Sequence, residues 1–155
     1  MTPHDFARLL DDHGPPLVLY ARQWCGNSED VVQDAFLKLV ALRKSPDQVV
    51  PWLYRVVRNG AIDASRIARR RQRREAIAAL PVRWFVEVEA DGLTADEAVA
   101  ALQRLPVDQR EVIVARLWGG LNFEQIAEIA GCSPSTAFRR FTAGIEALRK
   151  ELKST

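Results

Sequence analysis

The sequence predicts an all-α chain: two small helical domains joined by a linker, the C-terminal one a helix-turn-helix. Three observations lead there. Apolar residues recur at helical spacing through most of the chain, and only "VRWFVEVE" near residues 82–89 hints at period-two alternation. Capping residues, prolines and glycines punctuate the pattern at helix-length intervals. Residues 81–93, "PVRWFVEVEADGL", interrupt it and read as a linker between residues 1–80 and 94–155.

A first helix is expected over Pro3 to Asp12, with Phe6, Leu9 and Leu10 on one side. "HGPP" should break it before a second helix over about Pro16 to Trp24, because proline lacks the amide donor and crowds the preceding turn. Ser28 is a fitting N-cap, with Glu29 and Asp30 in the first turn of a helix running to about Leu42. "RKSPDQVV" is a loop, and Pro51 suits the first position of a long helix. Thr94 with Glu97 forms a capping-box pattern, Pro106 ends that helix, and Asp108 with Glu111 repeats the device. Gly119-Gly120 stops the next helix, Asn122 with Gln125 opens another, Gly131 ends it, and Ser133-Pro134 begins the last. The stretch "QREVIVARLW", 109–118, is apolar nearly all round and should lie centrally or partly against another protein.

Charge is segregated. Residues 51–80 carry eight basic and two acidic groups, whereas 81–100 carry one and five, so the net charge of +2 conceals a concentrated basic block. No apolar run approaches the roughly 20 residues that span a bilayer, and the N-terminus lacks a signal-peptide pattern, which points to the cytoplasm and against membrane insertion. Cys25 and Cys132 form no CxxC pair and are expected to be reduced and buried. His4 and His13 show no spacing to carboxylates or cysteines that suggests a triad or a metal site, so no catalytic residue, metal or cofactor is expected.

"RVVRNGAIDASRIARRRQRR", from Arg55 to Arg74, holds eight arginines, one carboxylate and no lysine. On a helical wheel Trp52, Leu53, Val56, Gly60, Ala64 and Ile67 cluster on the expected core side. Arg55, Arg58, Ile62, Arg66, Arg69 and Arg73 form a stripe beside it, with Asn59 at its edge; Asp63 borders the core as a structural partner for an arginine. A charge run is ordinarily a solvated face, but exposed helices usually mix signs, and a one-sign stripe repels itself unless a polyanion occupies it. The arginine fork also matches phosphate geometry.

"NFEQIAEIAGCSPSTAFRRFTAGIEALRKEL" places two helices about a short turn at Gly131. Ala127 is small where the helices approach. On the second helix Ala137, Phe141, Gly144, Ile145 and Leu148 face inward, Ser135, Arg139 and Thr142 face outward, and Thr136, Phe138 and Arg140 flank them. This pattern is a helix-turn-helix whose second helix can enter a major groove. On the helix beginning near Ser28, Val32, Ala35, Phe36, Leu39 and Val40 form the inner face, and Asp30, Gln33, Asp34 and Leu37 the outer one. A leucine among acids and a glutamine could centre a docking patch.

"SEDVVQDAFLKL", "PWLYRVVRNGAID", the arginine-rich helix end and "LQRLPVDQREVIVARLWGGLNFEQIAEIAGCSPSTAFRRF" resemble, in this order and over nearly the whole chain, the bacterial sigma factors of the extracytoplasmic-function (ECF) type in the sigma-70 family. The resemblance implies a promoter-recognition subunit of RNA polymerase that directs DNA melting and transcription initiation. Residues 1–80 would be region two and 94–155 region four. It implies that Asp30, Gln33, Asp34 and Leu37 dock on the polymerase clamp. Arg55, Arg58, Asn59, Arg66, Arg69 and Arg73 would hold the opened minus-ten element, with Asn59 near the loop that receives a flipped base. Ser135, Thr136, Arg139 and Arg140 would read the minus-thirty-five element. Its partners would be core RNA polymerase, promoter DNA both paired and melted, and an anti-sigma factor where one exists. Two departures stand out: positions 138, 143 and 144, often basic in this family, are Phe138, Ala143 and Gly144, and "HGPP" adds a proline pair. The alternative is a stand-alone helix-turn-helix regulator, which would need a dimer surface and its own DNA affinity.

Overall fold

The computed structural model describes residues 1–71 and 95–153, with the backbone alone for 69–71, 95, 96 and 98. The elements are α1 (Pro3–Arg22), α2 (Ser28–Ala41), α3 (Val49–Arg71), α4 (Ala95–Gln103), α5 (Val107–Leu117), α6 (Phe123–Ala130) and α7 (Pro134–Lys153). The chain divides into two compact units, residues 1–80 and 81–155. Among the described residues every regular element is a helix, and none is long and apolar enough to cross a membrane. The strand hint at 82–89, the linker at 81–93 and the Thr94 cap lie outside the described residues.

The first unit packs α1, α2 and α3 against one another. α1 opens with a reciprocal cap that the sequence reading overlooked. The Asp5 amide donates to Thr2 Oγ1 at 3.1 Å and the Thr2 amide to Asp5 Oδ2 at 3.2 Å, which holds the Asp5 carboxyl below its ordinary value. The helix then runs straight through Pro15 and Pro16 instead of breaking at "HGPP". An interior proline costs about 3 kcal/mol. Burial of Leu17, Val18, Leu19 and Tyr20, each 3% exposed or less, contributes about 1.5–3 kcal/mol per large side chain and outweighs it. The carbonyls left without donors belong to Asp11 and Asp12, which are exposed and can be hydrated. Gly14 lacks the Cβ that would clash ahead of a proline.

α2 ends where expected, at Ala41 with Leu42 as its C-cap, but departs from expectation at its start. Asn27, not Ser28, is the N-cap, without a side-chain bond. Ser28 is buried within the first turn, its Oγ without a hydrogen-bond partner among the described residues. The inner face is Val31, Val32, Ala35, Phe36 and Leu39, whereas Val40 is 63% exposed. Pro51 is the third residue of α3, not the first. Proline is tolerated throughout a first turn, where amides have no intrahelical acceptor.

The core side of α3 is rotated from the expected one. Leu53, Tyr54, Val57 and Ala61 are fully buried; Trp52, Val56, Gly60 and Ala64 are half-buried, and Ile67 is exposed. Both sets lie in one apolar arc of about 200° at 100° per residue, and α1 and α2 cover only part of it. Tyr20 and Tyr54 pack ring to ring at 4.9 Å in that covered part.

In the second unit α5 is buried on all sides over five consecutive residues, Glu111 to Ala115. It packs on α6 and α7, and α4 packs on α7. The expected Asp108–Glu111 box is absent: Pro106 is the N-cap and has no side chain to donate or accept. Asp108 instead pairs with Arg140 Nε at 3.7 Å, and Glu111 is buried. Arg110 Nη1 donates to the Leu105 carbonyl at 2.9 Å, satisfying the turn that follows α4. Asn122 and Gln125 form the expected capping box, at 2.8 and 3.0 Å. Gly131 takes the left-handed conformation, φ 73°. At Gly144 the reason for glycine is steric: a Cβ there would stand 2.6 Å from Ile113 Cδ1 and 3.3 Å from Gln109 Cβ.

Both cysteines are free. Cys25 is buried, and desolvation raises its thiol from 9.0 to about 11. Cys132 is only half-buried, contrary to expectation, because it follows Gly131 in the surface turn. His13 is half-buried and His4 exposed.

Two predictions follow from these contacts. A Cβ at Gly131 meets nothing within 4 Å, so Gly131→Ala should cost only the left-handed backbone penalty, about 1–2 kcal/mol by chemical denaturation. Gly131→Asn should lose clearly less; equal losses would refute the backbone account. Iodoacetamide at pH 8 should modify Cys132 in the native chain and Cys25 only after unfolding, read by peptide mass. Because the folded Cys25 thiol is raised, its stabilising preference for the neutral form is complete below pH 9.0 and disappears as pH climbs towards about 11.

Candidate nucleic-acid and polymerase interfaces

Three polar faces emerge from this packing. The first lies on α2. Burial of Val32, Phe36 and Leu39 turns Asp30, Gln33, Asp34 and Leu37 outward, and all four are exposed. Leu37 is 61% exposed, and Val40, one turn on, extends the apolar surface beyond what the sequence reading expected. Glu29 and Asp30 sit in the first turn, where the helix dipole favours acids.

The second is the arginine stripe of α3, directed away from Leu53, Tyr54, Val57 and Ala61. Arg55, Asn59 and Arg66 are exposed. Arg58 is half-buried, its guanidinium 5.6 Å from the Trp24 ring centroid. Trp24 meets Tyr20 edge to face at 5.0 Å, so a cation of the stripe rests on an aromatic pair rooted in α1. That support could not be read from α3 alone, since nothing in the spacing pairs residues 24 and 58. Asp63 is 3.8 Å from Arg66, with both side chains 70% exposed or more. It is an arginine partner as expected but not a core-bordering one, and an exposed pair of this kind contributes at most about 1 kcal/mol. Arg69 belongs to the last turn of α3, and Arg73 lies outside the described residues.

The third is the outer face of α7. Ser133 caps it: the Thr136 amide donates to Ser133 Oγ at 3.1 Å, and that hydroxyl donates to Thr136 Oγ1 at 3.0 Å. Arg139 Nη2 donates to the same Thr136 Oγ1 at 3.1 Å, which holds an exposed guanidinium beside the helix start. Ser135 and Thr142 are exposed on this side. Thr136 and Arg140 are half-buried, and Arg140 alone of the four expected readers is tied to another helix, through Asp108 of α5. Phe138 is 54% exposed and packs edge to face on Phe123 at 5.4 Å. Phe141 meets Phe123 as well, and the Arg116 guanidinium lies 5.1 Å from the Phe123 centroid. Phe123 and Arg116 were not singled out in the sequence; the ring cluster forms only when α5, α6 and α7 converge. Among the described residues no group of three metal-ligating side chains comes together.

Comparison with known proteins gives these faces a family. Residues 9–75 match the sigma-70 region 2 family and residues 95–148 the sigma-70 region 4 family. The chain is 28% identical to the ECF RNA polymerase sigma factor SigW of Bacillus subtilis, over 96% of this chain and 89% of that protein. It is 33% identical to the ECF sigma factor EcfG of Rhodopseudomonas palustris, over 79% and 71%. Among solved structures it is similar to the sigma factor RpoE from Bartonella quintana, solved with the anti-sigma factor NepR. That similarity has a TM-score of 0.73 and 26% identity, over 96% of this chain and 97% of that one. A region 2 body accompanying the helix-turn-helix disfavours a stand-alone regulator. The chain belongs to the ECF sigma factors of the sigma-70 family: it is not an enzyme in its own right but a promoter-recognition subunit of bacterial RNA polymerase.

Proposed function

We propose a division of labour among the three faces. The unit of residues 1–80 acts as region two and that of 94–155 as region four, with 81–93 as the linker. Asp30, Gln33, Asp34 and Leu37 of α2 dock on the polymerase clamp, an apolar centre with a polar rim being the usual anatomy of such a contact. Arg55, Arg58, Asn59, Arg66, Arg69 and Arg73 track the melted minus-ten strand, with Asn59 placed to meet an unstacked base. Ser135, Thr136 and Arg139 read the minus-thirty-five element from the major groove, and the cap of α7 favours a phosphate beside them. Arg140, braced by Asp108, serves the backbone rather than a base edge. The protein works in the cytoplasm. An anti-sigma factor is a further partner, by likeness to RpoE of Bartonella quintana, whose structure holds one.

The observation that carries this reading is the exposure of Arg55 and Arg66 on the side of α3 opposite its buried residues. Had the stripe been packed inside the unit, it could not meet DNA. Sequencing transcript starts after overexpression tests the reading as a whole: a shared pair of upstream elements is expected, and its absence would refute promoter recognition by this chain.

Two substitutions separate the faces. Arg66→Glu with Arg69→Glu should lower promoter opening, followed by permanganate reactivity of unpaired thymines, by about a hundredfold through loss of two charge-assisted contacts. Association with core polymerase should be unchanged, and normal opening would mean that the stripe is mere surface. Leu37→Asp should weaken association with core polymerase about tenfold or more, the worth of one buried leucine. Unaltered co-purification would remove the docking assignment.

A further inference from the structure

The recognition helix carries one residue that the charged and hydrogen-bonding inventory does not use. Phe138 is 54% exposed on α7, next in sequence to the exposed Arg139 and one turn from the exposed Ser135 and Thr142. Packing does not require a second ring at that position. Phe123 already meets Phe141 at 5.4 Å, and the Arg116 guanidinium lies 5.1 Å from its centroid. The edge-to-face contact with Phe123 at 5.4 Å therefore orients Phe138 without burying it. A helix-borne ring packed on one neighbour and still more than half exposed is an apolar reader, and in the major groove the apolar feature of a base edge is the thymine C5-methyl group.

We propose that Phe138 is a specificity-determining residue that selects a thymine·adenine pair in the upstream promoter element through contact with the thymine methyl. The neighbours suit this role. Arg139 is held by Thr136 Oγ1 at 3.1 Å, so the polar reader beside the ring is positioned before DNA arrives. Arg140 is held by Asp108 at 3.7 Å and is kept from competing for the same base edge. An aromatic ring cannot replace a phosphate-binding cation, so this helix binds with fewer backbone contacts and depends more on its base contacts than a more basic one would. The inference rests on α7 being the helix that enters promoter DNA.

The test uses holoenzyme reconstituted with core polymerase and duplexes carrying a randomised upstream element. The wild-type chain should enrich a motif containing a thymine·adenine position at which deoxyuridine, lacking only the methyl, weakens binding about fourfold, the worth of one buried methyl-sized group. Phe138→Ala should abolish both the enrichment at that position and the uracil penalty, leaving the other positions of the motif intact. Phe138→Gln, a good helix former with no apolar ring, repeats the test should the alanine variant melt early. A motif with no uracil-sensitive position, or a penalty that survives in both variants, would overturn the assignment. Enrichment of no upstream motif by the wild-type holoenzyme would overturn the reading of α7 itself and the inference with it.

Discussion

Everything the first unit offers to a partner depends on which side of α3 is buried. Leu53, Tyr54, Val57 and Ala61 are taken wholly out of water against α1 and α2. Once those four are buried, a helix has no choice about the remainder: Arg55 and Arg66 stand in solvent, unscreened by the core. Like charges three and four residues apart repel by a few tenths of a kcal/mol per pair. Burial of four core side chains, each contributing on the order of 1–3 kcal/mol, overrides that repulsion and holds the stripe in place before any polyanion arrives. The fold thus presents a predominantly cationic surface on one side of α3.

The same logic sets the second unit. The middle of α5, Glu111 to Ala115, is buried all round and serves as the body on which α6 and α7 sit. Gly144 lets α7 approach α5 as closely as Ile113 permits. Ala137, fully buried about two turns earlier, fixes the rotation of α7 about its axis. Ser135, Phe138, Arg139 and Thr142 are then outward by geometry. The capping chain from Ser133 through Thr136 to Arg139 adds rigidity at the start of the helix. Preorganisation of this kind favours discrimination, because little conformational entropy is lost on binding.

Local signals were legible only in part: the Thr2–Asp5 cap was missed, and the expected caps at Ser28 and at Asp108 with Glu111 did not form. The Asn122–Gln125 box, the left-handed Gly131 and the Ser133 cap are decided within four residues of chain, and reading residues at their spacings sufficed. The outward set Asp30, Gln33, Asp34 and Leu37 was legible too, because α2 has one narrow apolar face. Illegible features were those in which a helix has more apolar surface than its neighbours cover. α3 is apolar over about 200° of its circumference, so Trp52, Val56 and Ile67 competed on equal terms with Leu53, Val57 and Ala61 until α1 and α2 were in place. Pro15 and Pro16 misled for a related reason: the rule that proline breaks helices is a local cost of about 3 kcal/mol, and burial of the following turn exceeded it.

The amino-acid order alone determined the helical class, the helix-turn-helix with its caps, and the concentration of arginine on one rod, since each follows from spacing along a single chain segment. Only tertiary packing decided how α3 is rotated, that Val40 joins Leu37 on the open face of α2, that Arg58 rests on Trp24, that Arg140 is bound to Asp108, and that Phe138 packs on Phe123 while staying exposed. These are contacts between residues remote in sequence. No periodicity encodes them, because a helix specifies which of its side chains share a face but not which face its neighbours will cover.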